Sequence, residues 1–204
     1  MNDVDHALSE IADIRARLAA STRFLGIAPG VNALAALLSL VAAVMQNTCP
    51  EIFAPDLPHY VLFWAAVMIA SMVIVSIEAV SRTRRMHGQM ADAMLASALR
   101  QILPFYTAGF VVTLVILKFG SGSAWLLPGL WQILIGLLGF SALQSLPRAM
   151  IWVAGWYFLC GSVVLGLAGW NGGVSPWMMG LPLAFGQIAV AAVHIRNQER
   201  GDNG

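Results

Sequence analysis

Charged side chains are scarce in this chain. Lys, Arg, Asp and Glu together make up 10% of its 204 residues, against roughly 25% in an ordinary soluble domain. Apolar residues make up 59% of the sequence, and the mean hydropathy is +0.77. So much apolar surface requires lipid as its solvent. The composition therefore excludes both a soluble globular enzyme and a disordered protein.

Groups that could carry chemistry are also few. Cys49 and Cys160 are too few and too far apart for a disulfide framework or a zinc site. No two of the four histidines share a depth within the predicted hydrocarbon, so a haem held between two histidines is not expected. These histidines are His6, His59, His87 and His194. The sequence also contains no nucleophile–base pair, phosphate-binding loop or metalloprotease helix. We therefore predict no catalytic residue, no metal or other cofactor and no nucleic-acid partner.

Long apolar runs dominate the chain instead. Each is close to the length of about 20 residues that crosses a hydrocarbon core, and the connections between them carry prolines or glycines. The runs lie at about 24–46, 59–81, 101–119, 124–143, 149–169 and 176–195. They predict an all-α polytopic membrane protein, in which residues 23–196 form six transmembrane helices arranged as three hairpins.

The two ends of the chain are more polar than its middle. In residues 1–22, apolar side chains recur at helical spacing between charged ones, which predicts a cytoplasmic amphipathic helix. The acids in this segment, and the length of the run that follows it, distinguish it from a secretory signal. Residues 197–204 are predicted to be a cytoplasmic tail.

The distribution of basic residues predicts the topology. Ten of the eleven fall on one side of the predicted spans: Arg15, Arg17, Arg23, Arg82, Arg84, Arg85, Arg100, Arg148, Arg196 and Arg200. Lys118 alone falls on the other side. The positive-inside rule then predicts a multi-pass protein of the bacterial cytoplasmic membrane with both termini in the cytoplasm.

An internal repeat relates the second and third predicted hairpins. A shift of 52 residues places Gly109 on Gly161 and Trp125 on Trp177. Duplication of a helical hairpin explains this match, and parallel repeats of that kind occur in some transporters. The alternative is that a shared outer turn followed by an interfacial tryptophan produces the match.

Residues 129–169 include the runs GLWQILIGLLGF and LPRAMIWVAGWYFLCGSVVLGLAG. This pattern resembles the family of six-span, short-repeat bacterial membrane proteins that includes the acid-resistance membrane proteins. The resemblance covers about a quarter of the chain and depends on Gly129, Gly136, Gly139, Pro147, Gly155 and Gly161. It implies a stress-linked or regulatory inner-membrane protein rather than an enzyme, and it supplies no catalytic residues.

Glu78 is the only acid within a predicted span, and an ionisable group inside lipid requires an explanation. Its distance from Pro58 places it at the cytoplasmic boundary of the membrane. Arg82 follows four residues later, at the spacing of a helical ion pair. We interpret the two as an interfacial ion pair, with a proton-relay or ligand-binding role for Glu78 as the alternative.

Uncharged polar and aromatic residues lie deeper in the predicted spans. Amides at such depths commonly form hydrogen bonds between helices. Alternatively, they line a shared polar pocket, which prolines at 29, 104, 128 and 182 would assist by freeing main-chain carbonyls. The candidate ligand-binding residues are Asn32, Gln132, Gln187, Trp131, Tyr106 and Tyr157.

Two apolar stripes lie on the predicted cytoplasmic side. One consists of Leu8, Ile11 and Ile14, and the other consists of Met86, Met90 and Met94. They either pack on each other or face a second copy or a cytosolic protein. The nearby residues Arg82, Arg84 and Arg85 are expected to meet anionic lipid headgroups.

Three functions remain open at this point. The first is a non-enzymatic membrane protein that senses or regulates through a lipophilic ligand or a cytosolic partner. The second is a small transporter built from repeated hairpins. The third is a membrane enzyme or cofactor-binding protein, which the scarcity of charged side chains disfavours.

Overall fold

The computed structural model describes residues 29–87, 91–144, 146 and 148–202. Within these residues the chain is helical and contains no strand. Six helices are long and apolar enough to cross a membrane, so the chain is a multi-pass membrane protein. The predicted amphipathic helix, with Leu8, Ile11 and Ile14, lies outside the described residues. The same is true of Met90 and of the side chains of Met86 and Met94.

The six helices are α1 (Pro29–Thr48), α2 (Leu57–His87), α3 (Ala91–Phe119), α4, α5 (Met150–Asn171) and α6 (Trp177–Asp202). Helix α4 begins as a 3-10 helix over Ser121–Leu126 and continues as an α-helix over Leu127–Ser141. One extra turn, Pro50–Phe53, lies between α1 and α2. Helix α3 begins ten residues before the predicted start of the third span, because residues 91–100 are mostly strong helix formers.

The local sequence explains where some helices begin and end. The Asp56 carboxylate accepts a hydrogen bond from the main-chain N–H of His59 at 2.9 Å, and so caps the first turn of α2. Pro58 is tolerated in that turn because its missing N–H has no partner within the helix. Helix α5 ends at Gly172, whose φ of 65° is left-handed and favours glycine.

Two pairs of helices approach especially closely through small residues. A Cβ atom placed on Gly161 of α5 would lie 2.6 Å from the Gly129 carbonyl oxygen of α4. In the same way, Gly180 of α6 packs directly against Ala43 of α1. Small residues allow helix backbones to approach in lipid. These contacts join α4 to α5 and the first span to the last.

The interior of the bundle is best filled where α1 ends and α2 begins. Trp64 and Val61 of α2, Leu127 of α4 and Met179 of α6 are fully buried there. Helix α3 differs from the other spans. Only 6% of its apolar stretch is buried, against 22% to 44% in the other five. Most of the surface of α3 is therefore not covered by the other described helices.

Candidate functional site

Gln132 is completely buried and bridges two helices that are not adjacent in sequence. Its Nε2 atom donates a hydrogen bond to the main-chain carbonyl of Met178, at the start of α6, over 2.8 Å. That carbonyl lacks its usual helical donor, because the residue four positions later is Pro182, which carries no N–H. The side chain of Gln132 thus supplies the donor that the proline removes.

The remaining polar atom of Gln132 has no hydrogen-bond partner in the described part of the chain. This Oε1 atom is buried, while Nε2 also lies 3.4 Å from the sulfur of Met179. A buried carbonyl-type oxygen retains a strong preference for a donor. The Nε2 atom of this amide therefore joins α4 to α6, while its Oε1 atom remains available to accept a hydrogen bond.

Tryptophan side chains make hydrogen bonds between successive helices. Trp131 Nε1 of α4 donates to the Thr113 hydroxyl of α3 at 2.9 Å. Trp64 Nε1 of α2 donates to Gln46 Oε1 of α1 at 2.7 Å, over the same sequence separation of 18 residues.

The α5–α6 pair has a similar bond. Trp156 Nε1 of α5 donates to the main-chain carbonyl of Pro182 on α6 at 3.1 Å. Each of the three pairs α1–α2, α3–α4 and α5–α6 is thus joined by one indole N–H. Gln46 and Trp64 were not predicted as site residues. The sequence indicates them only in that a polar residue ends the first apolar run and a tryptophan lies near the start of the second.

The two candidate tyrosines differ in their surroundings. Tyr157 is buried on α5, packs against Gly186 of α6, and donates from its hydroxyl to the Leu183 carbonyl at 3.4 Å. Tyr106 lies on α3. Its side chain is 42% exposed. No hydrogen bond to its hydroxyl is found among the described residues.

Asn32 lies towards the other end of the α1–α6 contact. Ala43 meets Gly180 of α6, and Asn32 lies eleven residues before Ala43 on α1. Eleven residues are about three helical turns, so Asn32 shares the face of α1 that contacts α6. Asn32 is 1% exposed, and its Nδ2 atom has no hydrogen-bond partner among the described residues. Gln187 is half-buried.

Two of the six candidate ligand-binding residues contact α6 directly. Gln132 contacts its start at Met178, and Tyr157 contacts it further along, at Leu183 and Gly186, next to Gln187. The four prolines of the predicted spans differ in position. Pro29 is the first described residue of α1, and Pro128 is the second α-helical residue of α4, directly after its 3-10 turn. Only Pro104 and Pro182 lie inside described helices.

A polar cleft of about 280 Å³ runs along one face of α2. It is lined by Glu78, Ser81, Arg82 and Arg85, which share this face because they are three or four residues apart.

Glu78 and Arg82 thus line the same cleft. Among the described residues, the ion pairs with an N–O distance of 4.0 Å or less are His59–Asp56 and Arg84–Asp92. Glu78 and Arg82 are not at this distance from each other. The Arg84–Asp92 pair, at 3.8 Å, links α2 to α3.

In the described part of the chain, no group of three or more His, Cys, Asp or Glu residues is arranged to hold a metal ion. Comparison with models of protein families, with curated proteins and with solved structures finds no match to this chain.

Proposed function

We propose that this chain is a non-enzymatic, multi-pass protein of the bacterial cytoplasmic membrane that senses or regulates through a lipophilic ligand. The proposal includes both termini in the cytoplasm, because ten of the eleven basic residues fall on that side. It also includes three hairpins with an internal repeat in the second and third. The three indole hydrogen bonds, one within each of these helix pairs, support that arrangement.

The observation that carries the proposal is the position of Tyr106. It lies eleven residues into the stretch Leu95–Phe119, about 16 Å from its start and close to the bilayer centre. Its side chain is 42% exposed on the least buried of the six described spans. A hydroxyl in hydrocarbon without a hydrogen bond costs free energy. A lipophilic molecule with a hydrogen-bond acceptor, entering sideways from the bilayer, would remove that cost.

The neighbouring polar groups support a regulatory role over a transport pathway. Gln132, Trp131 and Tyr157 each form a hydrogen bond to another helix. These bonds hold α3, α4, α5 and α6 in one arrangement. A ligand seated against Tyr106 would therefore act on a connected set of helices.

The cytoplasmic side completes the proposal. Arg82, Arg84 and Arg85 meet lipid headgroups there. The apolar stripes in residues 1–22 and 86–94 offer a surface to a second copy or to a cytosolic protein. The signal from the membrane ligand would be passed on through this surface.

The test is native mass spectrometry of protein extracted gently from its membrane. We expect a retained lipophilic molecule, with occupancy reduced about tenfold in Tyr106→Phe, since one buried hydrogen bond is worth up to about 1.5 kcal/mol. Phe110→Leu is the matched control, because Phe110 is exposed on the same helix without a hydroxyl. Retention by both variants at the wild-type level would contradict the proposal. Solute flux in proteoliposomes that Gln132→Ala abolishes would favour a transporter instead.

A further inference from the structure

The cleft on α2 combines charges of both signs at the boundary of the membrane. Glu78 lies 21 residues after Leu57, the first residue of α2, or about 30 Å along the helix. That length equals the thickness of a typical hydrocarbon core of about 30 Å. Glu78 therefore lies where acyl chains give way to headgroups. Arg82 and Arg85 extend about 6 and 10 Å further.

This arrangement is a poor match for a purely anionic headgroup. Arg82 and Arg85 would bind a phosphate, but the Glu78 carboxylate on the same face would repel any further negative charge. Arg84 does not add to the cleft, because it is outside the lining and pairs with Asp92 at 3.8 Å. The cleft thus offers two cationic donors, one hydroxyl and one anionic acceptor in a row.

We propose that the cleft binds one phospholipid whose headgroup carries both a phosphate and a primary ammonium, as in phosphatidylethanolamine. The guanidinium groups of Arg82 and Arg85 and the Ser81 hydroxyl donate to the phosphate oxygens. The Glu78 carboxylate, one turn closer to the hydrocarbon, accepts hydrogen bonds from the ammonium group. The ethanolamine arm folds back from the phosphate towards Glu78, over about the single helical turn between Arg82 and Glu78.

This site differs from the proposed ligand position at Tyr106 in helix, depth and ligand chemistry. It requires only that α2 spans the bilayer. The two proposals can therefore fail separately: Tyr106→Phe should leave the lipid preference of the cleft unchanged, and Glu78→Gln should leave the molecule retained at Tyr106 unchanged.

The test measures the first lipid-binding constant of the purified full chain by native mass spectrometry. Phosphatidylethanolamine and phosphatidylglycerol with identical acyl chains are titrated in parallel. We expect the wild type to prefer phosphatidylethanolamine. Glu78→Gln should lose that preference by about tenfold, because a charge-assisted hydrogen bond disappears. It should also bind phosphatidylglycerol more tightly, since a repulsive charge is gone.

Matched variants separate the cleft from general surface charge. Arg82→Gln should weaken binding of both lipids, whereas Arg84→Gln removes the same charge outside the cleft and should leave the ratio unchanged. Glu51→Gln is the control for Glu78→Gln, because Glu51 is an exposed acid in the turn between α1 and α2. Thermal unfolding of each variant in detergent shows that its fold is intact.

Three outcomes would overturn the proposal. The first is a wild-type preference for phosphatidylglycerol, and the second is an effect of Arg84→Gln as large as that of Arg82→Gln. The third is displacement of the lipid by water-soluble phosphoethanolamine at equal affinity, which would identify a free phosphorylated amine rather than a membrane lipid as the ligand.

Discussion

The side chain of Gln132, on α4, takes the place of the main-chain donor that Pro182 removes from α6. The Met178 carbonyl, which lacks its usual donor four residues later, accepts from Gln132 Nε2 at 2.8 Å. A proline break in one helix and an amide in another are therefore parts of a single contact. Neither residue is explained without the other.

This relationship predicts a coupling between the two positions. Gln132→Leu should lower the free energy of unfolding by about 1 kcal/mol, because the Met178 carbonyl loses its donor. In a Pro182→Ala background the same change should cost less, since the new main-chain N–H can bond to Met178. A double-mutant cycle measured by unfolding in detergent or bicelles tests this. Equal costs in both backgrounds would show that the two residues act independently.

The close contact of α4 with α5 predicts a strong effect of one added methyl group. A Cβ atom on Gly161 would lie 2.6 Å from the Gly129 carbonyl oxygen and 2.8 Å from the Ile133 main-chain nitrogen. We expect Gly161→Ala to destabilise the protein by about 1–3 kcal/mol, since the helices must separate. Gly166→Ala, on the same helix but facing open space, is the control and should be neutral or stabilising. Equal unfolding temperatures for the two variants would contradict the packing.

The indole hydrogen bond between α3 and α4 can be tested by an isosteric change. Thr113→Val leaves Trp131 Nε1 without its acceptor at 2.9 Å. We expect a loss of about 1 kcal/mol in unfolding free energy, as is typical of a buried donor left unpaired. Thr107→Val, at an exposed position of the same helix, should change stability little. A loss in Thr113→Val no greater than that in Thr107→Val would show that this bond adds no stability.

The cap at the start of α2 predicts a dependence on pH. The main-chain N–H and the ring of His59 donate to the Asp56 carboxylate and hold its pKa below the ordinary value of 3.8. A carboxyl group with a lowered pKa stabilises the folded state fully above 3.8 and loses that contribution as the pH falls through its folded-state pKa. The unfolding temperature of wild type should therefore fall more steeply in this acid range than that of Asp56→Asn. Parallel curves would show that the carboxylate adds no stability.

Hydropathy alone was sufficient to predict six spans, because each run has a length that only a membrane helix requires. The partners of each helix could not be derived in the same way. The stripe of Ala36, Ser39 and Ala43 indicates a close helix contact, but many helices could supply its partner. Gln132 was recognised as a buried amide capable of bonding between helices. Its acceptor could not be predicted, because the hydrophobic pattern of the sequence does not show that α4 approaches the start of α6.

The contact between Ala43 and Gly180 has a consequence for biogenesis. Of the six described spans, α1 is synthesised first and α6 last, so the small-residue face of α1 stays without this neighbour until α6 has been made. A protein interrupted before α6 would display that face to the bilayer and to the membrane's quality-control proteases. Burial of this face is in this way coupled to synthesis of α6.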